Sequence, residues 1–187
     1  MRYPQQSLTD GVIALRRWQR KDLGWVERHA RDEAIERWSH LPQPFDAPAV
    51  AQWFETMGAA ERNGTAMRLA IVDATTDERL GAIAVSAVDD TAATGELGFW
   101  LAATARGRGI AVRSVVLVRS YSFDRAGLHA LIARVDVDNA ASRALLERNG
   151  FFAAPDAGPA VSGSVWYRCR AQCDLADDLR LPNIKRP

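Results

Sequence analysis

The sequence predicts a single domain of the mixed α/β class. Short alternating runs of apolar residues, which are typical of strands, are interspersed with longer runs of apolar residues at helical spacing. The chain has 187 residues, the length of one ordinary domain, and shows no repeat, low-complexity stretch or linker that would divide it. We therefore treat residues 1–187 as one domain, in which residues 177–187 form a loose tail.

The first half of the chain is predicted to contain four strands and two helices. Pro42, Pro44 and Pro48 interrupt the helical pattern after the first helix, and Asp46 is a good N-cap for the second. The short polar segment 75–78 predicts a hairpin between two strands. The predicted strands are residues 12–18, 66–74, 80–88 and 95–101, and the predicted helices are residues 22–38 and 46–62.

The second half is predicted to contain a long helix, a strand, a shorter helix and a final strand. The long helix follows a turn with two glycines, and the apolar residues at its helical spacing run from Val112 to Phe123. Asn139 is a good N-cap for the shorter helix, and Gly150 is a typical helix stop. The predicted strands are residues 128–138 and 164–174.

The turn before the long helix predicts a phosphate site. It reads Arg106-Gly107-Arg108-Gly109-Ile110-Ala111 and joins a strand to a helix. The first turn of a helix has backbone N–H groups without intrahelical partners, and the helix dipole adds positive charge there. Gly107 and Gly109 let the backbone approach a ligand closely, while Arg106 and Arg108 add full charges. A tight connection with ordinary surface arginines is the alternative explanation of such a turn.

Composition and charge exclude several function classes. A formal net charge of +1 gives no argument for a nucleic acid or a membrane surface as partner. No apolar run reaches the length of a membrane span and no secretory segment opens the sequence, so we expect a cytoplasmic protein. Cys169 and Cys173 lie four residues apart with no clustered histidine, so we expect reduced cysteines and no metal site.

A second motif makes the phosphate turn specific. The strand of residues 128–138 runs directly into Asn139, with Ser142 three residues later and Gly150-Phe151 at the end of the helix. Together with Arg106-x-x-Gly109-x-Ala111, this order resembles the GNAT superfamily of acyl-CoA-dependent N-acyltransferases. The segments Gly98-Phe99-Trp100-Leu101 and Asp138-Asn139-Ala140-Ala141-Ser142 are similar to the RimJ/RimL branch. The resemblance covers a core of about residues 12–175.

The resemblance implies a mostly antiparallel sheet of about six to seven strands, flanked by helices and splayed at an acyl-CoA cleft. The pantetheine arm would lie in that cleft, where the strand backbone would form hydrogen bonds with it. A backbone N–H would also donate to the thioester carbonyl oxygen and so act as an oxyanion donor. Asn139 would bond the arm near its amides and Ser142 would lie close to the thiol; a simple helix cap and an ordinary first-turn serine are the alternatives. The implied cofactor-binding residues are Phe99, Trp100, Leu101, Arg106, Gly107, Arg108, Gly109, Ile110, Ala111, Asn139 and Ser142.

The usual acid and base of the family are missing from this sequence. Many relatives have a catalytic tyrosine seven residues after the asparagine, where this chain has Leu146, and some have a glutamate five residues before it, where this chain has Arg134. We therefore predict Glu96 as the general base and Ser142 as the acid that protonates the thiolate, with a buried structural role as the alternative for Glu96. The remaining candidates are Tyr167 and Asp136.

The acceptor is predicted from the aromatic residues and the resemblance. Trp18, Trp25, Trp38 and Trp53 lie where this family builds its acceptor pocket, and core packing explains most of them. Trp38 is the exception, because it should lie in a loop at the mouth of the site. A peptide N-terminus and a small amine both fit such a wall.

The expected activity is transfer of an acetyl group from acetyl-CoA, or of another acyl group from its CoA thioester, to a primary amine by direct attack in a ternary complex. The expected acceptor is a protein or peptide N-terminal α-amine. A small amine (an antibiotic, a polyamine or an amino acid) and a non-catalytic acyl-CoA-binding module are the alternatives. No metal is expected, and the oligomeric state stays open, a homodimer included.

Overall fold

The fold is built on one mixed sheet. The computed structural model describes residues 1, 3–39, 41–42 and 44–171. Within them the sheet has eight strands in the order β1-β2-β3-β4-β5-β6-β8-β7, with every neighbouring pair antiparallel except β5 and β6. The strands are β1 Leu8–Thr9, β2 Ile13–Arg17, β3 Met67–Asp73, β4 Arg79–Asp89, β5 Thr94–Leu101, β6 Ala130–Asp136, β7 Phe152–Ala153 and β8 Ser164–Arg170.

The predicted mixed α/β class is confirmed, and each predicted strand has its counterpart in the sheet. The sequence missed β1 and β7, because two-residue strands are too short to show an alternating pattern. The final strand was predicted to reach Asp174, but β8 ends at Arg170. The predicted tail and Cys173 lie outside the described residues.

Five α-helices accompany the sheet in the described part of the chain. They are α1 Leu23–His29, α2 Glu33–Trp38, α3 Ala47–Arg62, α4 Ile110–Asp124 and α5 Ala140–Arg148. The prediction of one helix over residues 22–38 is wrong, because Asp32 is extended and its side chain accepts hydrogen bonds from the backbone N–H groups of Ala34 and Ile35. A residue in that conformation ends one helix and caps the next.

The two faces of the sheet are covered by different helices. α4 and α5 pack on the first face, where Val115 and Leu146 are buried against strand residues such as Leu131. α1 and α3 pack on the opposite face through residues such as Val26 and Val50. We call these the α4–α5 face and the α1–α3 face.

The parallel pair at the centre of the sheet is short. β5 and β6 are paired at only three positions, from Thr94↔Ala130 to Glu96↔Ile132. Beyond Glu96, β5 continues against β4 to Leu101, while β6 continues against β8 to Asp136. The two strands therefore part and leave a cleft between their carboxyl ends, which confirms the predicted splay.

A buried carboxylate ties the α1–α3 side to the sheet. Asp22 is fully buried and accepts hydrogen bonds from Arg16 Nη1 at 2.8 Å, Arg79 Nε at 2.8 Å and the Gln19 N–H at 2.9 Å. Burial alone would raise the pKa of Asp22, but the hydrogen bonds from Arg16, Gln19 and Arg79 together hold this pKa below its ordinary value. Arg16 Nε also lies 2.6 Å from Asp77 Oδ1, so the two arginines and the two aspartates form one network.

We predict that Asp22→Asn lowers the free energy of unfolding by about 3 kcal/mol at pH 7, because it leaves two arginines facing a partner without charge. An Asp with a lowered pKa stabilises the fold above its unfolded pKa and loses that effect as the pH falls through the folded value. The difference between parent and Asp22→Asn in urea denaturation should therefore shrink below about pH 4.

Glu55→Gln is the matched control for this prediction. It removes the carboxylate of an exposed pair with Arg20 and should cost less than about 1 kcal/mol. Equal losses for the two variants, or a difference between parent and Asp22→Asn that does not change with pH, would contradict a stabilising role of the buried charge.

Candidate active site

Two adjoining cavities occupy the cleft between β5 and β6. The smaller is about 280 Å³ and extends toward Arg106, and the larger is about 560 Å³ and extends over the α1–α3 face of the sheet past Glu96. The residues that line both cavities are Trp38, Ser39, Phe99, Trp100, Asn139 and Ser142. The predicted site residues from β5 and α5 thus meet at the junction of the two cavities.

The turn between β5 and α4 has the geometry of an anion site. Gly107 and Gly109 have φ angles of +73° and +74°, and a Cβ atom built on either would meet nothing within 4 Å. Their backbone conformation therefore requires glycine, while the space around them is open. Gly109 caps α4, and the N–H groups of Ile110 and Ala111 lie in the first helical turn, where intrahelical acceptors are missing.

Arg106 does not present a free charge to this turn, contrary to the prediction. Its Nη2 lies 2.5 Å from Asp32 Oδ1 and 3.0 Å from the Leu101 carbonyl oxygen. The Arg106 hydrogen bond is the main reason why the pKa of Asp32 lies below its ordinary value. Arg106 thus connects the N-cap of α2 to the end of β5, and Arg108 is the exposed arginine that stays next to the glycines.

The strand backbone at the cleft also differs in part from the prediction. The Ala102 N–H donates to the Leu80 carbonyl at 2.9 Å, and backbone groups alternate in direction along an antiparallel ladder. The N–H and C=O groups of Trp100 therefore point to β4, whereas those of Phe99 and Leu101 point to the cleft. The Leu101 carbonyl is occupied by Arg106, so the available backbone consists of both Phe99 groups and the Leu101 N–H. Trp100 contributes its side chain.

Asn139 and Ser142 lie side by side at the start of α5. Asn139 is the N-cap, as predicted, and its Oδ1 accepts a hydrogen bond from the Ser142 N–H at 3.1 Å. This bond leaves the Asn139 amide NH₂ and the Ser142 hydroxyl at the cavity junction without partners among the described residues. The capping role and a ligand-binding role are therefore compatible, since they use different atoms.

The acid and base candidates lie in different places. Glu96 is partly buried in the larger cavity, and no described residue forms a hydrogen bond or ion pair with its carboxylate. Asp136 lines the same cavity and is exposed. Tyr167 is buried beneath α5, where its hydroxyl contacts Arg143 Nε at 3.1 Å and Glu147 Oε1 at 3.0 Å. Glu96 and Asp136 thus line the larger cavity, and Tyr167 lines neither cavity.

Aromatic rings wall the cavities from the α1–α3 side. Trp25 stacks between His29 and Trp100, with ring centroids at 4.2 Å and 5.7 Å. Trp18 and Trp53 make an edge contact at 5.7 Å, consistent with the expectation that most of the tryptophans pack in the core. Trp38 lines both cavities, as expected of a residue at the mouth of the site, but it is the last residue of α2 and does not lie in a loop as predicted.

Sequence reasoning missed Arg68 and Ser39 as polar residues of the larger cavity, and it considered Trp18 there only for its aromatic ring and not for its N–H group. Arg68 enters it from β3, and Ser39 and Trp18 lie in its wall. Ser39 Oγ and Trp18 Nε1 are buried without a hydrogen-bond partner among the described residues. None of the three belongs to a local motif, so only the fold brings them to the site.

Two further searches cover the described part of the chain. No group of three or more histidine, cysteine or acidic side chains there could hold a metal ion. No helix there is long and apolar enough to cross a membrane.

Comparison with known proteins identifies a matching family, a related sequence and similar folds. A family model described as an acetyltransferase (GNAT) domain matches residues 13–152. An uncharacterised N-acetyltransferase, p20, from Bacillus licheniformis is 22% identical over 139 residues, which cover 74% of this chain and 78% of p20.

Two solved structures extend the likeness over nearly the whole chain. A ribosomal-protein-S5-alanine acetyltransferase from Vibrio fischeri has a TM-score of 0.78 at 16% identity, with 90% of this chain and 98% of that chain covered. RimJ from Mycobacterium smegmatis, in complex with a CoA disulfide, has a TM-score of 0.74 at 21% identity, with 91% and 85% covered. At these identities the structures show a shared fold, and the family match covers most of the chain. The protein therefore belongs to the GNAT family of N-acetyltransferases.

Proposed function

We propose that this protein transfers an acetyl group from acetyl-CoA to the N-terminal α-amine of a protein or peptide. The observation that carries the proposal is the pair of cavities that meet at Phe99, Asn139 and Ser142, one reaching Arg106 at the start of the glycine turn and one over the α1–α3 face of the sheet. This arrangement lets two substrates approach one point from different sides. Direct attack of an amine on a thioester requires such a meeting.

The CoA end of the proposal rests on the turn between β5 and α4. Its glycines leave open space, and the first-turn N–H groups of α4 offer donors to a pyrophosphate. Arg108 supplies positive charge beside them, whereas the charge of Arg106 is matched by Asp32. The smaller cavity then accommodates the pantetheine arm, with the amide NH₂ of Asn139 as a donor to one of its carbonyls.

The thioester lies at the junction in this proposal. The Phe99 N–H points to the cleft and serves as the oxyanion donor, because negative charge develops on the carbonyl oxygen as the amine attacks. The C–N bond forms, the C–S bond breaks, and the thiolate leaves. The Ser142 hydroxyl donates a proton to the thiolate, and the proton is replaced from solvent.

The amine approaches from the larger cavity, where Glu96 accepts its excess proton, directly or through a water molecule. An α-amine with a pKa near 7.7–8.0 is already partly neutral at physiological pH, whereas a lysine amine near 10.4 is not. Glu96 is partly buried and has no charged partner among the described residues, so we assign to it the easier of these two deprotonations. This argument supports an α-amine as the acceptor.

A panel of amines tests the proposal. The parent protein is assayed with acetyl-CoA and succinyl-CoA against peptides with free N-termini, free amino acids, aminoglycosides and polyamines, with thiol release as the readout. We expect acetyl transfer to peptides to be fastest. Faster transfer to a small amine would mean that the acceptor is that amine and not a peptide. CoA binding without turnover on any amine would contradict the proposed activity.

We predict that Gly109→Asp reduces CoA affinity by at least tenfold, because it places a negative charge and a side chain where the pyrophosphate binds. Calorimetric titration with CoA measures the effect. Gly127→Asp is the matched control, since Gly127 has a φ of +76° and equally open surroundings but lies at the other end of α4. Equal affinities of the two variants would place the CoA site elsewhere.

We predict that Asn139→Ala and Asn139→Asp separate the two roles of this side chain. Alanine removes the cap at a cost of about 1 kcal/mol and also removes the amide donor. Aspartate keeps an oxygen that accepts the Ser142 N–H but has no NH₂ group, so it should retain stability and still lose several-fold in CoA affinity.

Melting temperature and calorimetric CoA titration measure the two effects. Asp46→Ala is the control, because Asp46 caps α3 in the same way through the Ala49 N–H, away from the cleft. An Asn139→Ala variant that melts lower but binds CoA like the parent would reduce Asn139 to a helix cap.

We predict that Glu96→Gln lowers kcat/KM about a hundredfold near neutral pH, because the amine then loses its base. The loss should shrink at high pH, where the amine is already neutral. A pH profile of both proteins measures the effect. Equal loss at every pH would mean that Glu96 orders the cavity without moving a proton.

Two companion variants locate the proton transfers. Asp136→Asn removes the other carboxylate of the larger cavity, and a pH-dependent loss there instead of at Glu96 would reassign the base. Ser142→Ala should impair protonation of the thiolate, so its effect should grow as the pH rises. An effect of Ser142→Ala that is constant with pH would exclude the hydroxyl as the acid.

A further inference from the structure

The larger cavity contains an arginine whose guanidinium has no partner in the described part of the chain. Arg68 projects from β3 on the α1–α3 face and is partly buried in the cavity wall. Its backbone N–H and carbonyl contact the Tyr3 hydroxyl, but no described residue forms an ion pair or hydrogen bond with its guanidinium. Removing a charge from water is unfavourable unless an opposite charge or hydrogen-bond acceptors compensate for it. A ligand in this cavity can supply that compensation.

The position of Arg68 relative to Glu96 follows from the strand register. Arg68 is paired with Ala84 and Ala84 with Gly98, so Arg68 and Glu96 are two strands and two residues apart on the same face. Strand spacings of about 4.8 Å and about 3.4 Å per residue place their Cα atoms on the order of 12 Å apart. The floor between them consists of Ala84, Ser86 and Gly98, and the space above Gly98 is open.

A second group in the same wall calls for a hydrogen-bond acceptor. Trp18 is 8% exposed, and its buried Nε1–H has no partner among the described residues. An indole N–H can only donate. Arg68 and Trp18 therefore share a requirement for acceptor oxygens in the cavity, and a carboxylate supplies oxygens of this kind.

The charges of the cavity disfavour a polycation as the acceptor. Three arginines line it, Arg37, Arg68 and Arg134, against the two carboxylates Glu96 and Asp136. The Arg37 guanidinium lies over the ring of Trp38 at 4.3 Å, so a second cation would have to share an aromatic face that is already covered. An acceptor with one amine and one nearby carboxylate matches this pattern better than an acceptor with several amines.

We propose that Arg68 selects acceptors that carry a carboxylate within the first two residues of the N-terminal α-amine, so that the peptides acetylated fastest begin with an acidic residue or have one in second position. This inference rests on the proposed function. The amine lies beside Glu96 and the thioester, and the carboxylate binds the Arg68 guanidinium. One or two residues, at about 3.3–3.6 Å each, span the remaining gap.

Paired hexapeptides test the proposal. They differ only in aspartate against asparagine, or glutamate against glutamine, at position one or position two, and kcat and KM are measured for each with acetyl-CoA. A charge-assisted hydrogen bond predicts a preference of about 10- to 100-fold in kcat/KM for the acidic member at one of these positions, mainly through KM. No preference at either position would overturn the proposal.

Variants of Arg68 assign the preference to this side chain. Arg68→Leu keeps the apolar stem and should abolish the preference, because kcat/KM for the acidic peptides then falls to the level of the amide peptides. Arg68→Lys should restore part of it, and Arg68→Glu should invert it toward peptides with lysine at the same position. Arg125→Leu removes an exposed arginine that lines neither cavity and should behave like the parent. Equal loss for acidic and amide peptides in Arg68→Leu would overturn the proposal.

The same assay separates this inference from the proposed function. Acetylation of all peptides regardless of charge would overturn the role of Arg68 and keep the activity on α-amines. Faster turnover of free aspartate than of the peptides would keep Arg68 as a carboxylate-binding residue, but it would mean that the carboxylate belongs to a free amino acid and not to a peptide. Faster turnover of spermidine than of any acidic acceptor would overturn both the role of Arg68 and the proposed acceptor. Calorimetric titration with CoA is the control that each variant is folded.

Discussion

The short parallel pairing of β5 and β6 is the constraint on which the site depends. Three paired positions hold the strands together, and beyond Glu96 each strand follows a different antiparallel neighbour. The gap exposes one edge of β5, where the Phe99 backbone is available, and it brings the start of α5 next to that edge. If the pairing continued to Leu101, the sheet would close and the two cavities would be lost.

The sequence predicts those parts of the site that depend on local chemistry. The positive φ angles of Gly107 and Gly109 are a property of the turn itself, and the Asn139 cap is made with the backbone only three residues away. The order of strands and helices was likewise predictable, since each element has its own periodicity. The break between α1 and α2 was missed because the apolar spacing continues through Asp32.

Contacts between distant segments could not be predicted in this way. The pair between Arg106 and Asp32 joins residues 74 positions apart, and it neutralises a charge that the local motif, taken alone, offers to a phosphate. Whether the N–H and C=O groups of Trp100 point to β4 or to the cleft depends on which residues of β4 form hydrogen-bonded pairs with β5. The distance between Arg68 and Glu96 depends on the register of three strands. Such properties arise only when the strands are aligned, and no single segment contains them.

The glycine turn and the larger cavity are built from different kinds of group, backbone in the first and side chains in the second. One fold could therefore accommodate two unlike substrates. The glycine turn presents backbone groups that any sequence with the right φ angles offers, so a phosphate site there would be insensitive to most side-chain changes. The larger cavity is walled by tryptophans such as Trp18, Trp38 and Trp53. The buried Asp22 network holds the start of α1 on the sheet beside it. The side chains of the cavity can change without altering the turn or the splay. Acceptor choice can therefore vary while the position of the thioester stays fixed, and the acceptor must be inferred from cavity residues such as Arg68, which the family motifs do not include.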